Sequence, residues 1–150
     1  MVFNYQIGEL NLSSELEIPM LRQSTFNKPD LNIFIRKVAQ VPKKTIEIRN
    51  KEILYKDAFD NIFLINDKEI YISIRNSQYR REAAISIMGI PMGYFLQNNG
   101  FQVLHGSSVT MNNTAVSFVG KSGVGKSSIA LALMNNGLRL VTEDLCIIKN

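Results

Sequence analysis

Two sets of polar residues that could do chemistry lie within one short stretch, Phe118 to Asp144 (FVGKSGVGKSSIALALMNNGLRLVTED). The first set is a glycine-rich loop that ends in Lys126 and Ser127. The second is a pair of adjacent carboxylates, Glu143 and Asp144. A cationic glycine-rich loop suits an anion such as phosphate, and paired carboxylates suit a divalent cation or a proton transfer. Together the two sets predict phosphate chemistry.

The loop GKSGVGKS, from Gly120 to Ser127, fits the phosphate-binding pattern G-x-x-x-x-G-K-[ST]. It follows the apolar run AVSFV and precedes the helical run SIALALM, as a strand–loop–helix phosphate site requires. For a chain of this length, average composition makes a chance match roughly a 1-in-200 event. The alternative is a glycine-rich turn that binds nothing. We expect Lys126 to reach the β and γ phosphates of a nucleotide and Ser127 to bind Mg²⁺. The predicted nucleotide-contacting residues are Gly120, Lys121, Ser122, Gly123, Val124, Gly125, Lys126, Ser127 and Ser128.

The two carboxylates follow the apolar stretch Leu138 to Val141, which we predict to be a strand. A strand–helix–strand unit is right-handed and makes its two strands parallel. Both strands then end at the edge where open α/β sheets bind ligands. We therefore expect Glu143 and Asp144 to lie beside Lys126 and Ser127. One carboxylate would hold Mg²⁺ and the other would accept a proton. The alternative is an acidic turn between two strands.

The only histidine, His105, precedes a predicted hairpin whose turn is Asn112 and Asn113. If the two strands pair about that turn, His105 faces Gly120, the first glycine of the loop. The imidazole would then contact phosphate or influence a neighbouring carboxylate. The alternative is a histidine that merely ends a strand, and the residues alone leave both interpretations open.

The elements that must position these residues lie in the second half of the chain. Apolar residues recur at helical spacing from about Tyr79 to Leu96, where Pro91 should kink or split the helix. Asn98 to Gly100 should end that helix. The two strands of the hairpin follow, then a helix from Gly125 to about Asn136, and finally two apolar stretches around the acids. This half has an α/β pattern.

The first half contains short strand-like runs. Leu31 to Val38, Asn61 to Ile65 and Glu69 to Arg75 are rich in β-branched and aromatic residues, and the last two should form a hairpin. The predicted fold class is α/β, α+β overall. We expect a β-rich amino-terminal domain, residues 1–78, followed by a partial P-loop nucleotide-binding domain, residues 79–150.

Composition excludes several classes of protein. The 150 residues are 45% hydrophobic and 20% charged, and the net charge of +4 is spread along the chain, which argues against nucleic-acid binding. The densest basic run, Lys37 to Lys44, is typical of a solvated loop around Pro42. Cys146 is the only cysteine, so no intramolecular disulfide forms. The start lacks the features of a signal peptide, and no apolar run reaches the ~20 residues of a membrane span. We therefore expect a soluble, cytoplasmic protein with no membrane partner.

In the segment that holds the histidine, the glycine-rich loop and the acid pair, the chain resembles the bacterial HPr kinase/phosphorylase family. The shared features are a His-Gly strand, a short hairpin, a P-loop, and an acid pair one helix and one strand later. The matching residues are His105-Gly106, Gly120 to Ser127, the run NNGLRLV, and Glu143-Asp144.

This resemblance implies a serine kinase fold that is unrelated to eukaryotic protein kinases and akin to phosphoenolpyruvate carboxykinase. By position, Lys126 would bind phosphate and Ser127 would bind Mg²⁺. Glu143 falls at the family's catalytic acid/base, Asp144 at its second acid, and His105 at its active-site histidine. The family usually carries Asp-Asp, whereas Glu143 adds a methylene group.

The first hundred residues resemble the shorter HPr-kinase-like proteins found beside ribosomally made peptides, such as lasso peptides. Those relatives phosphorylate a serine of a precursor peptide. Family members continue well past the point that corresponds to Asp144, whereas this chain stops six residues later. We therefore expect a carboxy-terminally truncated or split protein. The resemblance also implies self-association into a homo-oligomer.

Three functions are consistent with these observations. The first is an ATP- and Mg²⁺-dependent kinase that phosphorylates a serine of a peptide or small protein, with Ser127 and Asp144 at the metal. The second is a nucleotide- or peptide-binding module, or truncated pseudokinase, without turnover. The third is another P-loop NTPase, which the early acid pair and His105 argue against.

Overall fold

We describe the fold from a computed structural model, which covers residues 1–42 and 45–149. The chain divides into two compact units, Met1–Asn98 (unit 1) and Asn99–Asn150 (unit 2). The strands and helices of unit 1 are β1 Phe3–Ile7, β2 Leu10–Ser14, β3 Leu31–Ile35, β4 Ile46–Arg49, β5 Glu52–Lys56, β6 Ile62–Ile65, β7 Glu69–Ser73, a 3₁₀ turn Ser77–Tyr79, α1 Arg80–Ile87 and α2 Ile90–Asn98. Those of unit 2 are β8 Gln102–Met111, β9 Thr114–Val119, α3 Lys126–Asn135, β10 Leu140–Thr142 and β11 Leu145–Ile148.

Unit 1 is built on one mixed sheet with the strand order β1-β2-β3-β7-β6-β5-β4. Strands β4 to β7 form an antiparallel meander, whereas β3 runs parallel to both β2 and β7. Alternate residues of the central strands are fully buried because successive side chains point to opposite faces of a sheet. These buried residues include Ile33, Phe63, Ile65, Ile70 and Ile72.

The predicted hairpin between the second and third strand-like runs is confirmed. Strands β6 and β7 pair antiparallel, and the Asn66 side chain accepts hydrogen bonds from the backbone N–H groups of Lys68 and Glu69 at 2.9 and 2.8 Å. The first run was predicted as far as Val38, but β3 ends at Ile35. The basic run is irregular and mostly exposed over residues 37–42, whereas Lys43 and Lys44 lie outside the described residues.

Helices α1 and α2 occupy the segment where one kinked or split helix was predicted. Pro91 is the second residue of α2, a position where its missing N–H costs little, so the break falls just before it. Both helices bury apolar side chains, including Ile87 and Phe95, and α2 packs on β6. They therefore group with unit 1. The division of the chain falls after α2, whereas the sequence suggested a boundary near residue 78.

Unit 2 is built around the long strand β8. Strand β9 pairs with one edge of β8 through a turn in which Asn112 and Asn113 have φ angles of 48° and 64°. Asparagine tolerates this left-handed conformation, so the predicted tight turn and its register are confirmed. The helix predicted from Gly125 to about Asn136 is present as α3. Gly125 (φ 92°) caps its start, and Gly137 (φ 91°) follows its end.

Strands β10 and β11 both pair antiparallel with β8. Thr142 pairs with Ser108, and Leu145 pairs with His105. The step from the first pair to the second is three residues along each strand, so the register is continuous. Because β9 holds the other edge, β10 and β11 form a single interrupted ladder along one edge of β8. Both β9 and β10 are antiparallel to β8 and therefore parallel to each other, as predicted. None of the helices in the described part of the chain is long and apolar enough to cross a bilayer.

Candidate active site

The glycine-rich loop connects the end of β9 to the start of α3. Gly123 and Gly125 have φ angles of 82° and 92°, a region that residues with a Cβ rarely adopt. A glycine-rich turn of this kind orients successive N–H groups toward an anion, and the first turn of α3 adds N–H groups without helical partners. Residues 121–124 and Ser128 are exposed, so the loop is open to a ligand.

The Lys126 side chain lies inside this loop. Only 7% of the residue is exposed, and its Nζ donates hydrogen bonds to the carbonyl oxygens of Gly120 and Lys121, both at 3.0 Å. Two neutral carbonyls hold the ammonium group without cancelling its charge. The arrangement therefore presents a positive charge where the loop would receive a phosphate.

Ser127 follows in the first turn of α3 and is exposed. Its Oγ lies 3.5 Å from Oγ of Ser107, a fully buried residue of β8. Ser107 Oγ lies 3.5 Å from the carbonyl oxygen of Glu143 as well. The loop-helix junction and the acid pair are therefore neighbours, and Ser107 lies between them.

The two acids occupy the interruption between β10 and β11. Thr142 and Leu145 are both paired with β8, so the bend formed by Glu143 and Asp144 is anchored at each end. The backbone carbonyl of Asp144 accepts a hydrogen bond from the Gly106 N–H at 3.0 Å. Both acidic residues are exposed. The sequence allowed either an acidic turn or a ligand-binding pair, and an exposed bend at this position is compatible with both.

His105 lies next to the acid pair. Its Nδ1 is 3.2 Å from Oδ1 of Asp144, and the two side chains are 57% and 81% exposed. The predicted pairing with Gly120 lies one step beyond the β8–β9 ladder, whose last pair is Gly106 with Val119. The contact with Asp144 instead follows from β11, because His105 pairs with Leu145 on the other edge of β8.

Gly106 is required by close packing. A Cβ at this position would lie 2.6 Å from the Phe118 carbonyl oxygen, 3.1 Å from the Cys146 Sγ and 3.3 Å from a Val119 methyl carbon. Real Cβ atoms essentially never approach another atom closer than 3.0 Å. The glycine therefore lets β8, β9 and β11 meet tightly beside His105.

The donor set suits a magnesium nucleotide better than a metal held by protein alone. The described residues contain no cluster of three or more His, Cys, Asp or Glu side chains that could hold a metal. Mg²⁺ in nucleotide sites takes only one or two protein oxygens and is otherwise bound by phosphates and water. The Ser127 hydroxyl and the exposed carboxylates of the bend are protein oxygens of that kind, and Lys126 in the loop carries the positive charge that phosphates would require.

Curated proteins named HPr kinase/phosphorylase match part of this chain. The protein from Chlorobium phaeobacteroides is 48% identical over 49 residues, which is 33% of this chain and 14% of the relative. The one from Prosthecochloris aestuarii is 42% identical over 53 residues, or 35% of this chain and 16% of the relative. The one from Chloroherpeton thalassium is 44% identical over 48 residues, or 32% and 14%. The similarity to these proteins therefore extends along about one third of this chain.

The match between this chain and these curated relatives spans about a seventh of their length. No protein-family model matches the chain, and no solved structure matches it significantly. The mixed α/β architecture is as predicted, whereas the likeness to phosphoenolpyruvate carboxykinase remains an expectation.

Neither Ser107 nor Gly106 is among the site residues that the sequence predicts. A signal for Ser107 was present, because residues two apart on a strand share a face and Ser107 is two residues after His105. Gly106 enters the sequence pattern only as part of the His-Gly pair. Its role depends on three strands meeting at one point, which no local pattern encodes.

Proposed function

We propose that this HPr kinase-like chain carries the nucleotide-binding part of an ATP- and Mg²⁺-dependent serine kinase whose acceptor is a peptide or small protein. The observation that carries the proposal is the buried Lys126 inside a left-handed glycine loop, with the Ser127 hydroxyl linked through Ser107 to the acid bend. The similarity to proteins named as kinases supports the same function.

In this proposal the loop and Lys126 hold the β and γ phosphates of ATP, which is a substrate. Ser127 and Asp144 would hold Mg²⁺, which neutralises phosphate charge when bound. The acceptor serine oxygen attacks the γ phosphorus, and the bond from that phosphorus to the β–γ bridging oxygen breaks. The products are phosphoserine and ADP.

The proton of the acceptor hydroxyl has a destination in Glu143, whose carboxylate is exposed at the bend. Its side chain is one methylene longer than the aspartate usual in the family, so it reaches further from the anchored backbone. His105 beside Asp144 would hold that carboxylate in place. The contribution of such a site is mainly position and charge stabilisation.

Calorimetric titration of Mg-ATP and Mg-ADP into the chain tests the nucleotide site. We expect Lys126→Ala to weaken binding about 10- to 150-fold, since a hydrogen bond to a charged group contributes about 1.5–3 kcal/mol. Lys51→Ala, which removes the same charge from the exposed β4–β5 turn of unit 1, should bind like the wild type. Equal affinity in all three proteins would contradict the proposed phosphate site.

Phosphoryl transfer is tested separately with γ-labelled ATP. The acceptors are a peptide library with a central serine and the same library with alanine at that position. Label transferred only to the serine library supports the kinase. Nucleotide binding without transfer would favour the binding module, and phosphate release without any acceptor would favour an NTPase.

A further inference from the structure

Ser107 is a buried polar residue whose hydroxyl group connects two parts of the proposed site. The residue is fully buried in β8, and its Oγ has contacts at 3.5 Å with the Ser127 Oγ and with the Glu143 carbonyl oxygen. A buried hydroxyl without a partner is costly, so these two contacts determine how Ser107 is oriented.

The chemistry of the partners decides where each proton lies. A carbonyl oxygen only accepts hydrogen bonds, so Ser107 must donate its single proton to Glu143. The Ser107 oxygen then has only lone pairs left for Ser127, which must therefore act as the donor. By distance alone, either serine could donate the hydrogen bond between the two hydroxyls. The bond from Ser107 to the Glu143 carbonyl uses the Ser107 proton and leaves Ser127 as the donor.

This direction matters for a metal. A serine that binds Mg²⁺ uses a lone pair of its oxygen and needs an acceptor for its proton. Ser107 supplies that acceptor, and the lone pairs of Ser127 are left for the cation. Both distances exceed the usual 2.5–3.0 Å of an O–H···O bond, so each contact would have to shorten by about 0.5–1 Å to reach full strength.

We propose that Ser107 is a positioning residue for the metal of the nucleotide site. It accepts a hydrogen bond from the Ser127 hydroxyl and so directs the oxygen of that hydroxyl to a divalent cation. Its own hydrogen bond to the Glu143 carbonyl fixes the position of the acid bend relative to the start of α3. This inference rests on the proposed function, because it concerns the cation that accompanies the nucleotide.

The neighbouring Ser108 offers a matched control. It is also buried in β8, but its Oγ contacts Ser117 Oγ at 2.7 Å and Cys146 Sγ at 3.0 Å, on the opposite face of the strand. Ser108→Ala removes a hydroxyl of equal size and similar burial without touching Ser127 or the acid bend.

The test is the dissociation constant of ATP in excess Mg²⁺ and in EDTA, measured for the wild type and for Ser107→Ala, Ser107→Thr, Ser108→Ala and Ser127→Ala. The dissociation constant in EDTA divided by that in Mg²⁺ gives the factor by which the metal increases the affinity for ATP. We expect Ser107→Ala to reduce that ratio about 3- to 10-fold, the factor contributed by one hydrogen bond, and to leave binding in EDTA within about twofold of the wild type. Ser107→Thr keeps the hydroxyl and should restore the ratio, and Ser108→Ala should not change it.

The outcomes separate this inference from the proposed function. A wild-type ratio in Ser107→Ala, together with a reduced ratio in Ser127→Ala, would overturn the positioning role and leave the nucleotide site intact. Equal losses in EDTA and in Mg²⁺ would also overturn it, because a purely structural role weakens both. If the wild type gains no affinity from Mg²⁺, both the positioning role and the proposed function are overturned.

Discussion

Gly106→Ala should separate the three strands that meet beside the candidate site. The added Cβ would lie 2.6 Å from the Phe118 carbonyl oxygen, about 0.8 Å inside the 3.4 Å at which ordinary contact begins. The obstacle is backbone, and the Cys146 sulfur at 3.1 Å and a Val119 methyl carbon at 3.3 Å limit movement in other directions. Overpacking of this kind costs about 2–3 kcal/mol. Alanine recovers about 0.5–1 kcal/mol relative to glycine in a strand, so the net loss is about 1–2.5 kcal/mol.

Hydrogen exchange measures this loss where it occurs. All five tyrosines of the chain, at positions 5, 55, 71, 79 and 94, lie in unit 1 and there are no tryptophans, so tyrosine fluorescence does not report on unit 2 directly. We expect the amides of the Ser107–Phe118 pair to exchange about 5- to 70-fold faster in Gly106→Ala. Nucleotide affinity should fall as well, because the loop leaves β9 directly after Val119.

Gly89→Ala is the control for the change of residue type. A Cβ at Gly89 would lie 3.5 Å from the Ser86 carbonyl oxygen, an ordinary contact, so exchange in unit 2 should stay at the wild-type rate. If Gly106→Ala exchanges no faster than Gly89→Ala at Ser107 and Phe118, then close packing is not what requires a glycine beside His105, and our account of the His-Gly pair is refuted.

Two further predictions concern unit 1. Asp57 is buried, and its carboxylate accepts hydrogen bonds from the Phe59 and Asn61 backbone N–H groups, the Asn61 side chain and the Ser86 hydroxyl. Asp57→Ala should therefore lower the free energy of unfolding by about 2–4 kcal/mol, measured by tyrosine fluorescence in denaturant. Asp57→Asn should lower it by less. Hydrogen bonds from the Arg36 side chain, and next from the Ile35 N–H, lower the pKa of Glu15 below its reference value of 4.5. A carboxylate whose pKa is lowered by folding stabilises the fold fully at pH values above the unfolded-state pKa. This stabilisation is lost as the pH falls through the folded-state pKa. The stability difference between wild type and Glu15→Gln should therefore shrink on acidification below pH 4.5, from no more than about 1 kcal/mol at neutral pH, and a difference that is constant with pH would contradict this.

The parts of the fold that the sequence predicted are those encoded by neighbouring residues. The Asn112–Asn113 turn fixed the pairing of β8 with β9, because a two-residue turn sets the register of both strands. Gly125 and Gly137 marked the ends of α3 through their left-handed φ angles. The strand–loop–helix order around the glycine-rich loop was predictable because the motif, the strand and the helix are contiguous.

The parts that escaped prediction depend on residues far apart in the chain. Strands β3 and β7 are parallel neighbours separated by the whole β4–β6 meander, and no local pattern indicates that pairing. The contact between His105 and Asp144 depends in the same way on β11, which pairs with the edge of β8 that the hairpin leaves free. The change of pattern near Tyr79 places helices α1 and α2 in the second half of the chain, but both helices lie within unit 1.

The pairing register of strand β8 determines which of its side chains face the candidate site. His105 and Ser107 point to the face with Asp144 and Ser127, whereas Gly106 and Ser108 point to the face with Cys146. A slip of one residue would exchange the two faces and would replace the imidazole and the bridging hydroxyl by a hydrogen atom and the hydroxyl of Ser108. It would also bring a Cβ to the position that only glycine fits. The asparagine turn at the far end of the hairpin prevents that slip, so a feature with no chemistry of its own determines which side chains reach the proposed metal and phosphates.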